Sequence, residues 1–225
     1  MVLRTYLPGC VRAIILLTVM VAMFAVPASA ETLYTNGPTN GTINAAFMSG
    51  PYEVANSFTL SGASTLTGVN FGVWAYPGDT PQTVDWEVGS APFGSNPGSG
   101  VDASLTNTFL FVTFFSFDVY DESFDLPSIG LGSGTYWLTL QNAVSTNDGA
   151  LAWDFSNGPS IAYQTAQGLP FLTVQLAGSE SFQILGTATM SPVPEPGTLT
   201  LLGTGLLSLL PLARRKLHEG RCLGS

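Results

Sequence analysis

Between Glu31 and Met190 the chain has no lysine, no arginine, no histidine and no cysteine. All six basic residues, the single histidine and both cysteines lie outside that span, while thirteen of the fifteen acids lie within it. Thirteen acids and no base give the span a formal charge of −13. Each absence removes a class of chemistry. Without histidine or cysteine there is no Ser-His-Asp or Cys-His nucleophile and no zinc or copper site of the usual kind. Without lysine there is no Schiff base and no phosphate-cradling loop with its lysine. Without any cation, nucleic acid is a poor partner, because nothing neutralises phosphates. No disulfide can staple the span, so its core must hold it. What remains is carboxylates, hydroxyls, amides and aromatic rings, which suit calcium, sugars, ice or another protein surface. The expectation is a protein that is not an enzyme.

The first thirty residues read as a targeting segment. Arg4 and Arg12 form a basic region, residues 13–25 an apolar run, and Ala28-Ser29-Ala30 a small-residue cleavage site. Residues 1–30 are thus expected to be a signal peptide, with the mature chain starting at Glu31. An uncleaved anchor is the alternative.

The far end has three parts in order. Pro192, Pro194 and Pro196 each hold φ near −65° and disfavour helix at the preceding residue, so 191–197 is expected to be an extended linker. Residues 198–213 carry no charge. At about 1.5 Å per residue they span roughly 24 Å, a little under a bilayer's hydrocarbon core, and a single transmembrane helix is expected there. Arg214, Arg215 and Lys216 then act as a membrane stop, leaving 214–225 as a basic cytoplasmic tail by the positive-inside rule.

Pro194-Glu195-Pro196 before an apolar run and a basic cluster resembles the PEP-CTERM sorting tail of envelope proteins. The resemblance implies an exosortase-type processing enzyme as partner and cleavage at or near the tripeptide, with Glu195 as the residue read. It implies an exported protein anchored in the inner membrane through its C-terminus, then released to the cell surface or outside after processing. A permanent single-span anchor is the alternative. Tails of this type also accompany ice-binding proteins, which need flat Thr-x-Thr ladders. Here Thr65-Leu66-Thr67, Thr106-Asn107-Thr108 and Thr187-Ala188-Thr189 are irregularly spaced, which disfavours ice.

Residues 31–190 read as one domain, and the pattern is β throughout. Val69-Asn70-Phe71-Gly72-Val73, Val84-Asp85-Trp86-Glu87-Val88 and Leu151-Ala152-Trp153-Asp154-Phe155 alternate, and Gly, Pro and Asn clusters separate them. No long window has a helical period. The expected fold class is all-β, a jelly-roll-like β-sandwich ectodomain flanked by the signal peptide and the C-terminal helix. The run Phe109–Phe117, apolar on both faces, predicts a central strand covered on both sides.

Three constellations could carry binding or chemistry. Asp85 and Glu87 flank Trp86, so both carboxylates share a face about 6.5–7 Å apart along the strand. That spacing suits paired acids at a glycoside, and it equally suits a solvated polar face over a core tryptophan. Asp118, Asp121, Glu122 and Asp125 are the densest acidic cluster and the calcium candidates, against the plainer reading of an acidic surface turn. No other cofactor is expected. Trp86 and Trp153 share phase with aliphatic residues and read as core. Trp74 and Trp137 fall on the other phase, among amides and hydroxyls, and are the candidates for glycan contact. The functional expectation is a non-enzymatic surface or extracellular-matrix component of an exopolysaccharide or biofilm. A carbohydrate-binding module using exposed tryptophans is the alternative.

Overall fold

The computed structural model of the chain describes residues 30–42, 44–167 and 169–189. The chain divides into two units, Met1–Ala188 and Thr189–Ser225, and the fold below is that of the first. It has fourteen strands and, among the described residues, no helix.

Two sheets face each other. The six-stranded sheet runs β12 (Leu169–Gln175), β11 (Ala162–Ala166), β3 (Tyr52–Leu60), β9 (Gly134–Ser145), β5 (Pro81–Gly89), β6 (Pro97–Ser104). The eight-stranded sheet centres on β4 (Ser64–Ala75), with β8 (Asp118–Leu131) along one edge and β14 (Phe182–Ala188) along the other. Beyond them lie β7 (Thr106–Val112) on β8 and β1 (Glu31–Thr35) on β14. At one end of β4, β10 (Ala152–Ser156) takes over from β14, and it also pairs β2 (Ala45–Phe47) and β13 (Ser179–Glu180).

Alternation builds the core. Val69, Phe71 and Val73 of β4 point inward with Tyr120 and Phe124 of β8, opposite Val84, Trp86 and Val88 of β5 and Leu138 and Leu140 of β9. The inward set switches phase where β4 and β8 share a register shift between Leu66 and Gly68. Leu66 and Ile129 face inward on one side of it, Val69 and Phe124 on the other. Across that shift β8 carries two more residues than β4, and both halves of the long strand pair stay on the core. Trp86 and Trp153 lie in this core.

Three expectations need correction. A jelly roll divides eight strands between two sheets; here fourteen do so, and β4 carries three neighbours. The second concerns the membrane helix expected at 198–213. No helix among the described residues is long and apolar enough to cross a membrane, and 198–213 lies outside those residues, as does the stop at Arg214, Arg215 and Lys216. Among the described residues the architecture is therefore all-β with two sheets and no membrane-crossing helix, and inner-membrane anchorage has no helix among them to rest on. The third concerns Phe109–Phe117. Strand β7 is not central but an edge strand with β8 as its sheet neighbour, and all seven of its residues are exposed. The chain then turns at Thr113–Phe117, where Thr113 N donates to Phe117 O. Phe114 at the tip is 96% exposed. Apolar composition marks a strand as able to be buried; it does not supply the second neighbour that would bury it.

Candidate functional site

The outward face of the six-stranded sheet gathers the polar and aromatic groups that alternation excludes from the core. Register sets them in rows, because directly paired residues share a face. Glu53, Gln141 and Asp85 form one row across β3, β9 and β5; Ala55, Thr139 and Glu87 form the next; Ser57, Trp137 and Gly89 form the third. Tyr163 of β11 joins the middle row beside Ala55.

Trp137 and Tyr163 stand on strands separated by β3, roughly 9.5 Å apart by strand spacing. Their rings nonetheless meet, with centroids 5.6 Å apart and planes tilted by 47°. The meeting is possible because β3 presents only Ala55 and Ser57 beneath them. Both rings are half-buried.

The carboxylates of this face are not equivalent. Asp85 accepts hydrogen bonds from Asp102 N at 2.7 Å and Asn142 Nδ2 at 2.8 Å. Burial raises the pKa of Glu87, and the nearby charge of Glu53 raises it further. Burial raises Glu53 as well, opposed by a hydrogen bond from Gln167. Of the two carboxylates that the sequence sets side by side, Asp85 is engaged by Asp102 and Asn142, while Glu87 lies within electrostatic reach of Glu53. Between them Thr139 is fully buried, and its Oγ1 has no hydrogen-bond partner.

Trp74 does not offer a ring to solvent. It is 8% exposed and packs with Val119 and Ala152 on the outward side of β4. Its indole Nε1 donates to Asp154 at 2.6 Å. Asp154 also accepts from Asn40 N at 2.8 Å and Gly41 N at 3.1 Å, so it ties the 36–42 loop across the sheet. Burial raises its pKa, and these donors oppose the rise. Gly41, at φ +62°, is required there: a Cβ would strike the ring of Phe111. Trp74 belongs to that lock rather than to a glycan surface.

The calcium candidates are dispersed by the same alternation. Asp121 and Asp125 are exposed, whereas Glu122 points into the core beside Phe71. Asp118 accepts from Gly78 N at 3.0 Å and Asp121 from Thr39 Oγ1 at 3.0 Å, on separate loops. Among the described residues no group of three or more Asp, Glu, His or Cys is placed to hold a metal ion. Glu122 is instead a buried acid with both oxygens unpartnered, pushed up to about 9 by burial and then by Asp121. Glu180 is similar, with both oxygens unpartnered, pushed up to about 8 by burial.

A cleft of about 200 Å³ opens over β4 and β14, lined by Thr39, Asn70, Leu110, Asp121 and Gln183 among others. Its polar groups already bond one another, Thr39 to Asp121 and Asn70 Nδ2 to Gln183 Oε1 at 3.4 Å.

Tyr163 and Glu53 had no local signal in the sequence, since β3 and β11 are brought together only by the sheet. Beyond the domain, residues 192–216 match the family described as the PEP-CTERM protein-sorting motif. The chain carries a PEP-CTERM sorting motif. The matched segment follows an all-β, sandwich-like domain in the sequence. Pro194, Glu195 and Pro196 lie within the PEP-CTERM match and outside the described residues. Comparison with curated proteins and with solved structures gave no match.

Proposed function

We propose that this is an exported, non-enzymatic β-sandwich, sorted by an exosortase-type enzyme to the cell surface or into an extracellular polysaccharide matrix. One observation carries the reading: the PEP-CTERM motif at 192–216 follows a domain that has thirteen acids and no base. The motif supplies the route, and the missing histidine, lysine and cysteine leave little chemistry for catalysis. In this reading residues 1–30 are a signal peptide, 31–190 the delivered domain and 191–197 the linker that holds Glu195 for recognition.

Intact-mass measurement of the protein from its own cells, with cell fractionation, tests this. The expected species begins at Glu31, ends near Pro196 and appears at the surface or outside. Glu195→Ala should abolish the shortened species. A surface species still ending at Ser225 would overturn exosortase sorting.

A second reading, carbohydrate binding, is favoured by the Trp137–Tyr163 ring pair on the outward face of the six-stranded sheet. Aromatic rings beside amides and carboxylates are suited to sugars, which offer an apolar ring face and a rim of hydroxyls. Binding to a broad set of polysaccharides, lost in Trp137→Ala, would support it.

A further inference from the structure

The geometry points to a site on the outward face of the six-stranded sheet for a polysaccharide bearing free amino groups, with Trp137 and Tyr163 against its rings and Glu53 and Glu87 receiving its ammonium groups. The inference rests on the carbohydrate reading and names the class of sugar.

Three features of the face converge on it. The ring pair, with centroids 5.6 Å apart, is held by strands two places apart, so both rings are fixed by the sheet rather than by a loop. Such a platform takes a sugar's apolar face and, through the ring quadrupole, favours a nearby cation. Next to the rings, Glu53 and Glu87 sit on β3 and β5 on either side of β9, close enough for one charge to act on the other. The buried Thr139, with an unpartnered Oγ1, lies between them on the same face. Thr139 is neutral and closed off from solvent, so no cation of the protein stands between the two carboxylates.

Charge selects among sugars. Two acids that repel each other are ordinarily relieved by a lysine or arginine, and residues 31–190 contain neither. A neutral glucan leaves that repulsion in place, and a uronic-acid polymer adds to it. An amino sugar with its ammonium exposed relieves it. The neighbouring titratable groups are Asp85, already engaged by Asp102 N and Asn142, Asp102 itself, and Tyr163. Because burial raises both Glu53 and Glu87, they take up protons at a higher pH than an ordinary glutamate. Once the medium is acid enough for the sugar's amines to be fully charged, affinity should accordingly weaken on further acidification.

The test uses the full chain and three hexasaccharides in calorimetry: a β-1,4-linked glucosamine hexamer, its N-acetylated counterpart and cellohexaose. The glucosamine hexamer is expected to bind about tenfold or more tightly than the other two. Glu53→Gln and Glu87→Gln, which keep side-chain shape, should each weaken it by about tenfold. Trp137→Ala should do so with no change of charge, its folding checked by the melting curve. Asp125→Asn, an exposed acid of the other sheet, should leave binding unchanged. Equal weakening by Asp125→Asn and Glu87→Gln, with Trp137→Ala silent, would mean diffuse attraction to an acidic surface and would overturn the site. Trp137-dependent binding of the N-acetylated hexamer or cellohexaose at equal affinity would overturn the amino-sugar assignment while leaving the carbohydrate reading standing. No binding of any hexamer would remove both.

Discussion

Strand β7, Thr-Asn-Thr-Phe-Leu-Phe-Val, is exposed at all seven positions, whereas β10, Ala-Trp-Asp-Phe-Ser, is buried at all five. Composition alone orders them the other way. β7 pairs β8 along one edge and has no second sheet neighbour among the described residues. β10 pairs β4, β2 and β13, and the 36–42 loop lies over it through Asn40 and Gly41. A strand is buried by what lies beside and above it, and an aspartate can be buried when enough donors surround it. The contrast is the one an open edge always creates: unpaired backbone and apolar side chains together make β7 a place where another strand can add.

The sharpest way to break the comparison is at Asp154. Asp154→Leu leaves two loop amides and the Trp74 indole without their acceptor, and loss of about 3–5 kcal/mol is expected in denaturant unfolding. Asp154→Asn, which retains an acceptor oxygen, should lose less. A loss below about 1 kcal/mol for the leucine variant would mean that the polar lock does not hold β10 in place.

The next effect comes from Glu122, the inward acid of the strand that carries β7. Folded, it keeps its proton up to about pH 9, while its ordinary value is 4.5. The native state therefore binds one more proton between those values, and this contribution to stability is complete below about pH 4.5 and is lost as pH rises towards 9. Glu180 acts in the same direction, up to about 8. Melting temperature is expected to fall by about 5–10 °C between pH 5 and pH 8. Glu122→Leu, which removes an unpartnered carboxyl from an apolar site, should flatten that fall and raise stability at pH 8. A melting temperature that climbs over this range would refute the buried, protonated acid.

The smallest effect belongs to the tip after β7. Phe114→Ser with Phe115→Ser should change unfolding free energy by no more than about 0.5 kcal/mol, since both rings already stand in water. Phe117→Ala, by contrast, removes a ring packed on Trp74 and Tyr76 at 5.7 and 5.3 Å and should cost about 1–2 kcal/mol. Equal losses at the three positions would mean that the tip is not the free end it is drawn to be.

Much of the domain was legible in its residues. Alternation in Val84–Val88 and Leu151–Phe155 identified strands and assigned Trp86 and Trp153 to the core, and both are there. Trp74 shows where that reasoning stopped. Its phase was right, since it points away from Phe71 and Val73, but the outward side of β4 at that point is covered by a loop from residues 36–42. Nothing near Trp74 in the sequence announces a loop more than thirty positions earlier. Glu122 failed for a related reason: an acid on an inward phase looks like a surface acid until the strand's neighbours are known.

The sequence by itself determined the charge, the excluded chemistries, the β character and the sorting motif, because each depends on residue type or on spacing along the chain. Only the tertiary structure decided that β7 is an edge, that Asp154 is enclosed, and that Glu53 and Glu87 lie on the same face on either side of β9. Those facts depend on which strands lie side by side, and strand pairing joins residues such as Glu53 and Gln141 that local pattern cannot relate.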